Sequence, residues 1–148
     1  MLVPTRILVP TDFSEYSDRA FSQALDIAKE YYAKLYLLHV LHKALDLTGL
    51  DFISSEKMVN EFKDNTLAWA KKSLGLQLEK FPRAREVEVF TNIRQGVPYD
   101  EILKEAKEER IDLIVIASLG RTGIAKYLIG SVARNVLKGA KCPVLLTK

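Results

Sequence analysis

Leu113-Ile114-Val115-Ile116-Ala117, then Ser118-Leu119-Gly120-Arg121-Thr122-Gly123, then Gly130-Ser131: this stretch decides how the chain is read. The apolar run reads as a buried strand. It opens into a glycine-spaced loop, and Gly130-Ser131 stands where a new helix begins. Strand, glycine loop and helix start in that order build an anion site. Glycine lets the backbone approach a ligand and aim successive N–H groups at it, and the first turn of a helix carries unpaired N–H groups and a partial positive charge. A phosphate suits such a place.

The pattern extends in both directions from this stretch. Arg6-Ile7-Leu8-Val9-Pro10 reads as a short buried strand. Thr11-Asp12-Phe13-Ser14 turns it into a helix with Ser14 as its cap, Glu15 in its first turn and Phe21, Ala24, Leu25 and Ala28 at helical spacing. Leu35 to Leu41 is a second apolar strand, and His42 to Ser54 shows no period and reads as a connecting loop. Ser55 to Phe81 places Val59, Phe62, Trp69, Leu74 and Leu78 on one helical stripe, with Gly75 as a weak point.

Glu86 to Arg94 alternates Val87, Val89 and Ile93 with polar residues, as a strand near a sheet edge does, and Gly96 breaks it. Pro98 opens a helix with Asp100 and Glu101 in its first turn and Ile102, Leu103 and Ala106 facing inward. Its Lys104 to Arg110 portion reads as a solvated face. Past the glycine loop, Ser131 to Lys138 is a short helix ending at Gly139, and Pro143 to Thr147 is a final strand. Regular alternation of strand and helix predicts an α/β fold with a parallel sheet and helices on both faces.

The 148 residues, 48% of them hydrophobic, suffice for one sizeable core, so residues 1–148 are expected to form a single domain. The net charge of +3 is spread along the chain without a basic tract, which argues against a nucleic-acid partner. No apolar run approaches membrane-spanning length. Cys142 is the only cysteine, and a start without a signal peptide points to the cytoplasm. His39 and His42 lack companion ligands and read as packing and solvent-exposed residues. Cys142 reads as a small core residue.

Open parallel sheets bind ligands beyond the carboxyl ends of the strands where the strand order reverses. In a five-stranded sheet ordered 3-2-1-4-5, that point lies between the first and fourth strands. Asp12 would then face the glycine N–H groups, the hydroxyls of Ser118, Thr122 and Ser131, and the cation Arg121. An anionic ligand bearing a sugar, such as a nucleotide, would use all of these. Asp12 could also serve simply to cap the helix that follows it.

At these residues the chain resembles the universal stress protein family. The resemblance rests on Ile7 to Ser14, Leu37-Leu38-His39-Val40, Arg94 to Pro98, and Gly130-Ser131-Val132 with Cys142-Pro143-Val144-Leu145. Members that bind ATP carry Gly, two residues, Gly, nine residues, then Gly with Ser or Thr. Gly120, the nine residues Arg121 to Ile129, and Gly130-Ser131 match, whereas Ala117 stands at the first glycine and Leu119 where a polar residue is common.

The resemblance implies the 3-2-1-4-5 sheet of the adenine nucleotide alpha-hydrolase-like, Rossmann-like fold. It also implies an adenine nucleotide, ATP with magnesium, as ligand. Pro10, Thr11 and Asp12 would line one side, with Asp12 by the ribose or the magnesium, and Val40 would offer its backbone to the adenine edge. Ala117, Ser118, Gly120, Arg121, Thr122, Gly123, Gly130, Ser131 and Val132 would form the phosphate side. A homodimer paired along the final strand is implied as well. The alternative is a stress-family protein that binds no nucleotide and acts through protein contacts, for which Ala117 and Leu119 would be responsible. Slow ATP hydrolysis would have Asp12 as its one acidic participant.

Other classes lack their marks. No Gly-x-x-x-x-Gly-Lys-Ser/Thr loop and no Gly-x-Gly-x-x-Gly follows the first strand, which disfavours P-loop ATPases and Rossmann dehydrogenases. Receiver domains gather acidic residues after the first strand, where this chain has one, and no Ser-His-Asp arrangement is evident.

Overall fold

A computed structural model describes residues 1–42, 56–120 and 129–148. The elements run β1 (Arg6–Pro10), α1 (Glu15–Tyr31), β2 (Lys34–His42), α2 (Glu56–Glu79), a 3-10 turn (Pro82–Glu86), β3 (Val89–Gly96), α3 (Pro98–Glu108), β4 (Leu113–Ala117), α4 (Ser131–Gly139) and β5 (Val144–Thr147). The strands form one five-stranded sheet in the order β3-β2-β1-β4-β5, every neighbouring pair parallel. That is the expected order.

Strand position explains strand composition. β1 and β4 lie inside the sheet under helices on both faces, so Ile7, Leu8, Val9, Ile114 and Val115 are fully buried. Alternate residues feed two cores. Ile7, Val9, Leu35, Leu37, Leu113 and Val115 pack with α1 and with Leu74 of α2. Leu8, Leu38, Ile114 and Ile116 pack with Ile102 of α3 and with Ala133 and Val136 of α4. β3 is an edge and exposes Phe90, Thr91 and Asn92.

Two boundaries and two faces depart from expectation. β3 begins at Val89, because Pro82 starts a 3-10 turn through Glu86. β2 continues to His42 because β3 pairs with it that far, His42 opposite Gly96. The loop expected between His42 and Ser54 lies, beyond His42, outside the described residues. The α2 stripe is only partly core: Leu74 is buried, whereas Phe62 and Trp69 are exposed. Nor is α3 from Lys104 onward merely solvated. Glu105 is 2% exposed because Arg94 of β3 reaches it.

Candidate functional site

The site's geometry starts with how short one ladder is. β1 meets β4 only at Ile7–Leu113 and Leu8–Ile114. Beyond these pairs each strand keeps to its other neighbour: the Thr11 N–H donates to Leu38 O (2.8 Å), and the Ser118 N–H donates to Thr147 O (2.9 Å). The carboxyl ends of β1 and β4 therefore part, and a cavity of about 970 Å³ opens above the sheet.

Every described residue expected at the site lines that cavity: Pro10, Thr11, Asp12, Val40, Ala117, Ser118, Gly120, Gly130, Ser131 and Val132. Arg121, Thr122 and Gly123 lie outside the described residues. Ala117 is the last residue of β4, paired with Thr147, and its extended backbone accommodates a side chain without strain. Leu119 also lines the cavity.

The turn after β1 is built by its own side chains. The Ser14 N–H donates to Asp12 Oδ1 (3.0 Å), the Phe13 N–H to Thr11 Oγ1 (3.1 Å), and Ser14 Oγ accepts from the Ser17 N–H (3.3 Å) as the α1 cap. Phe13 adopts a left-handed φ of 65°, a strained state for a bulky residue that such local bonds can hold. The buried Thr11 hydroxyl also donates to Gln77 Oε1 of α2 (2.9 Å), and Gln77 Nε2 donates to Asp18 Oδ1 (3.0 Å). Two helices thus brace the turn.

Across the opening, two glycines lie close against their neighbours. A Cβ on Gly120 would lie 3.2 Å from Asp12 Oδ2, and one on Gly130 would lie 3.3 Å from Ser118 O, against backbone. The Gly130 N–H donates to Ser118 O at 2.7 Å, which folds the end of β4 against the start of α4. No side chain caps α4 and no acidic residue occupies its first turn, so its N–H groups and dipole present positive potential beside Ser131. Among the described residues, Asp12 brings a carboxylate and the α4 terminus a positive end to the cavity, with Lys63 and Asp64 of α2 also on its wall.

Three of the wall residues that sequence reasoning missed bear on the site's chemistry. Arg94 lines the cavity, but its guanidinium bonds Glu101 (2.8 Å), Glu105 (2.9 Å) and Glu108 (2.8 Å). Arg94 holds the Glu101 and Glu108 carboxyls below their usual range, with Lys104 also acting on Glu101. In turn Glu108, then Glu101, drives the arginine further up. That cation is already neutralised. His39, 8% exposed, holds its Nδ1 2.8 Å from Thr11 O; a carbonyl only accepts, so Nδ1 carries the hydrogen. Trp69 of α2 is the third. Alternation would have placed His39 on the α2 side of the sheet, but nothing in the sequence placed α2 against the turn.

Comparison with known proteins supplies the lineage. The model of the universal stress protein family matches residues 4–148. Universal stress protein MJ0531 of Methanocaldococcus jannaschii is 35% identical over 143 residues, 97% of this chain and 81% of that protein. The solved structure of MJ0577 from the same organism superposes with a TM-score of 0.83 at 30% identity, covering 99% of this chain and 97% of that one. A universal stress protein solved in complex with cAMP superposes at 0.66 with 25% identity, covering 99% and 98%. On the family match across nearly its whole length, the chain belongs to the universal stress protein family.

Proposed function

We propose that this protein binds an adenine nucleotide, ATP with magnesium, and serves as a regulatory module of stress responses in the cytoplasm. The observation that carries this reading is the convergence of Asp12 with Gly120 and the uncapped α4 terminus where β1 and β4 separate. Phosphates would lie along Ala117, Ser118, Gly120, Gly130, Ser131 and Val132, with Arg121, Thr122 and Gly123 completing that loop. Val40 would present its backbone to the adenine edge, beside Pro10 and Thr11. The relative solved with cAMP supports a nucleotide in this fold.

Magnesium fits in one form only. Among the described residues no three His, Cys, Asp or Glu side chains gather to hold an ion. A single carboxylate, Asp12, suits Mg²⁺, whose remaining ligands are phosphate oxygens and water. Binding alone performs the regulatory role; the reading requires no turnover. The protein is further proposed to pair with a second copy along β5.

The interaction-only alternative draws on Ala117 and Leu119. One methyl group in an extended strand costs far less than several N–H groups and a helix terminus contribute, so weakened ATP binding is expected rather than none. Calorimetry of the full chain with ATP, with and without magnesium, tests this. Ala117→Gly should bind equally or more tightly, Gly130→Leu should lose binding, and Asp12→Ala should weaken it mainly with magnesium present. If the wild type shows no heat at millimolar ATP and Ala117→Gly restores it, the interaction-only reading is the better one. Silence from both proteins sinks the phosphate site.

A further inference from the structure

The phosphate end accounts for only part of the cavity wall. Another part is α2, whose Trp69, the single tryptophan of the chain, lines the cavity with 46% of its surface exposed. Phe62 and Leu67 extend the same wall at 56% and 38% exposure. Leaving an indole half-exposed forgoes burial of one of the largest apolar side chains. A residue needed only as core would turn inward with Leu74.

The indole is nevertheless held in place. It meets Phe13 edge-on at 5.5 Å and His39 edge-on at 6.0 Å between ring centroids, and Phe13 lies on His39 at 4.4 Å. Phe13 follows Asp12 in the strained turn, and His39 is tied to Thr11 O. One turn after β1 therefore sets both the carboxylate at the polar end and the aromatic wall. The Thr11–Gln77 bond, two helical turns further along α2, fixes the helix that carries the indole.

We propose that Trp69 is a specificity-determining residue that takes the planar base of the bound nucleotide against its exposed surface, making α2 part of the ligand site. The inference rests on the nucleotide reading above. A base offers an apolar face to stack and polar edges to hydrogen-bond, and an indole held against Phe13 and His39 in the cavity that Val40 also lines supplies the first of these partners. Stacking recognises planarity, so Trp69 selects nucleotides over sugar phosphates rather than one base over another.

The single tryptophan makes the test direct. ATP is titrated into the full-length protein and followed by calorimetry and by tryptophan emission, and calorimetry is repeated on Trp69→Leu and Trp69→Phe after their melting temperatures are compared with wild type. Emission should change with the calorimetric midpoint. Trp69→Leu should bind roughly 5- to 100-fold more weakly and Trp69→Phe should keep most of the affinity. Should Trp69→Leu fail to fold, the wild-type emission and Trp69→Phe carry the result. ATP heat that saturates while emission stays constant, or a folded Trp69→Leu that binds like wild type, overturns the role of Trp69 and leaves the nucleotide reading standing. No ATP heat from wild type or from Ala117→Gly overturns both.

Discussion

Asp12 divides its two carboxylate oxygens between structure and site. Oδ1 accepts from the Ser14 N–H and shapes the turn, while Oδ2 faces Gly120 across the opening. The sequence posed a choice between helix cap and ligand residue, but Ser14 takes the cap, so Asp12 need not. At the far end of the chain, Thr147 is 7% exposed and its hydroxyl has no hydrogen-bond partner, the only such buried side-chain atom among the described residues. An unpaired buried hydroxyl costs about 1 kcal/mol or more. Thr147→Val keeps the shape and removes the hydroxyl, so it should raise the melting temperature by about 2–4 °C. Calorimetric melts of both proteins decide it, and a lower midpoint for the valine protein would mean the hydroxyl finds a partner.

Elements show where sequence reading stops. The fully buried β1 and β4 and the capped α1 were legible because a single local cause dictates each: an unbroken apolar run, or a serine placed to accept an N–H. α2 was legible as a helix but not in its partners, since Phe62 and Trp69, a heptad apart, face a cavity that exists only after folding while Leu74 packs inward from another side of the helix. Glu105 hid for a similar reason: its partner Arg94 is on another element, and three-residue spacing on α3 says nothing about β3. Gly75 sits exposed inside α2, with no atom within 4 Å of where a Cβ would be. Gly75→Ala should therefore stabilise the fold by about 0.5–1 kcal/mol in urea melts, as alanine does in open helix interiors.

The Arg94 cluster carries a pH dependence. The Glu101 and Glu108 carboxyls titrate below their ordinary value of 4.5 in the fold, so their stabilisation is complete above that pH and is lost as pH falls through the lowered values. Arg94→Met leaves the buried Glu105 carboxylate without its cation, held by Asn92 Nδ2, and should cost about 3 kcal/mol at pH 7. The wild-type stabilisation from Glu101 and Glu108 fades as pH falls through their lowered values, so the gap to wild type should narrow towards pH 4. Urea melts at the two pH values measure it, and a gap independent of pH would contradict the ionic account.

For the whole molecule, both edges of the sheet matter. β3 blunts its edge with Asn92, whose Oδ1 accepts from the Ile93 N–H (2.9 Å). β5 leaves Val144, Leu145 and Leu146 only half-buried at the opposite edge. Two-fold pairing of β5 edges would cover them, and light scattering should then give a dimer mass at micromolar concentration. Leu145→Lys should shift that mass towards the monomer; a monomer from wild type up to millimolar protein would end the proposal.

The brevity of the β1–β4 ladder has a mechanical consequence. The two parts of the sheet are laced at one end only: two residue pairs, the Asp112 N–H on Arg6 O (3.0 Å), and the Asp112 carboxylate on the N–H groups of Thr5 and Arg6. At the other end the seam gapes. A nucleotide touching Asp12 on one lip and Gly130 on the other would stitch it shut, so occupancy should register as slower amide hydrogen exchange along β1 and β4, well below the loops that touch the ligand. The molecule's least-laced line would then double as its gauge of nucleotide supply.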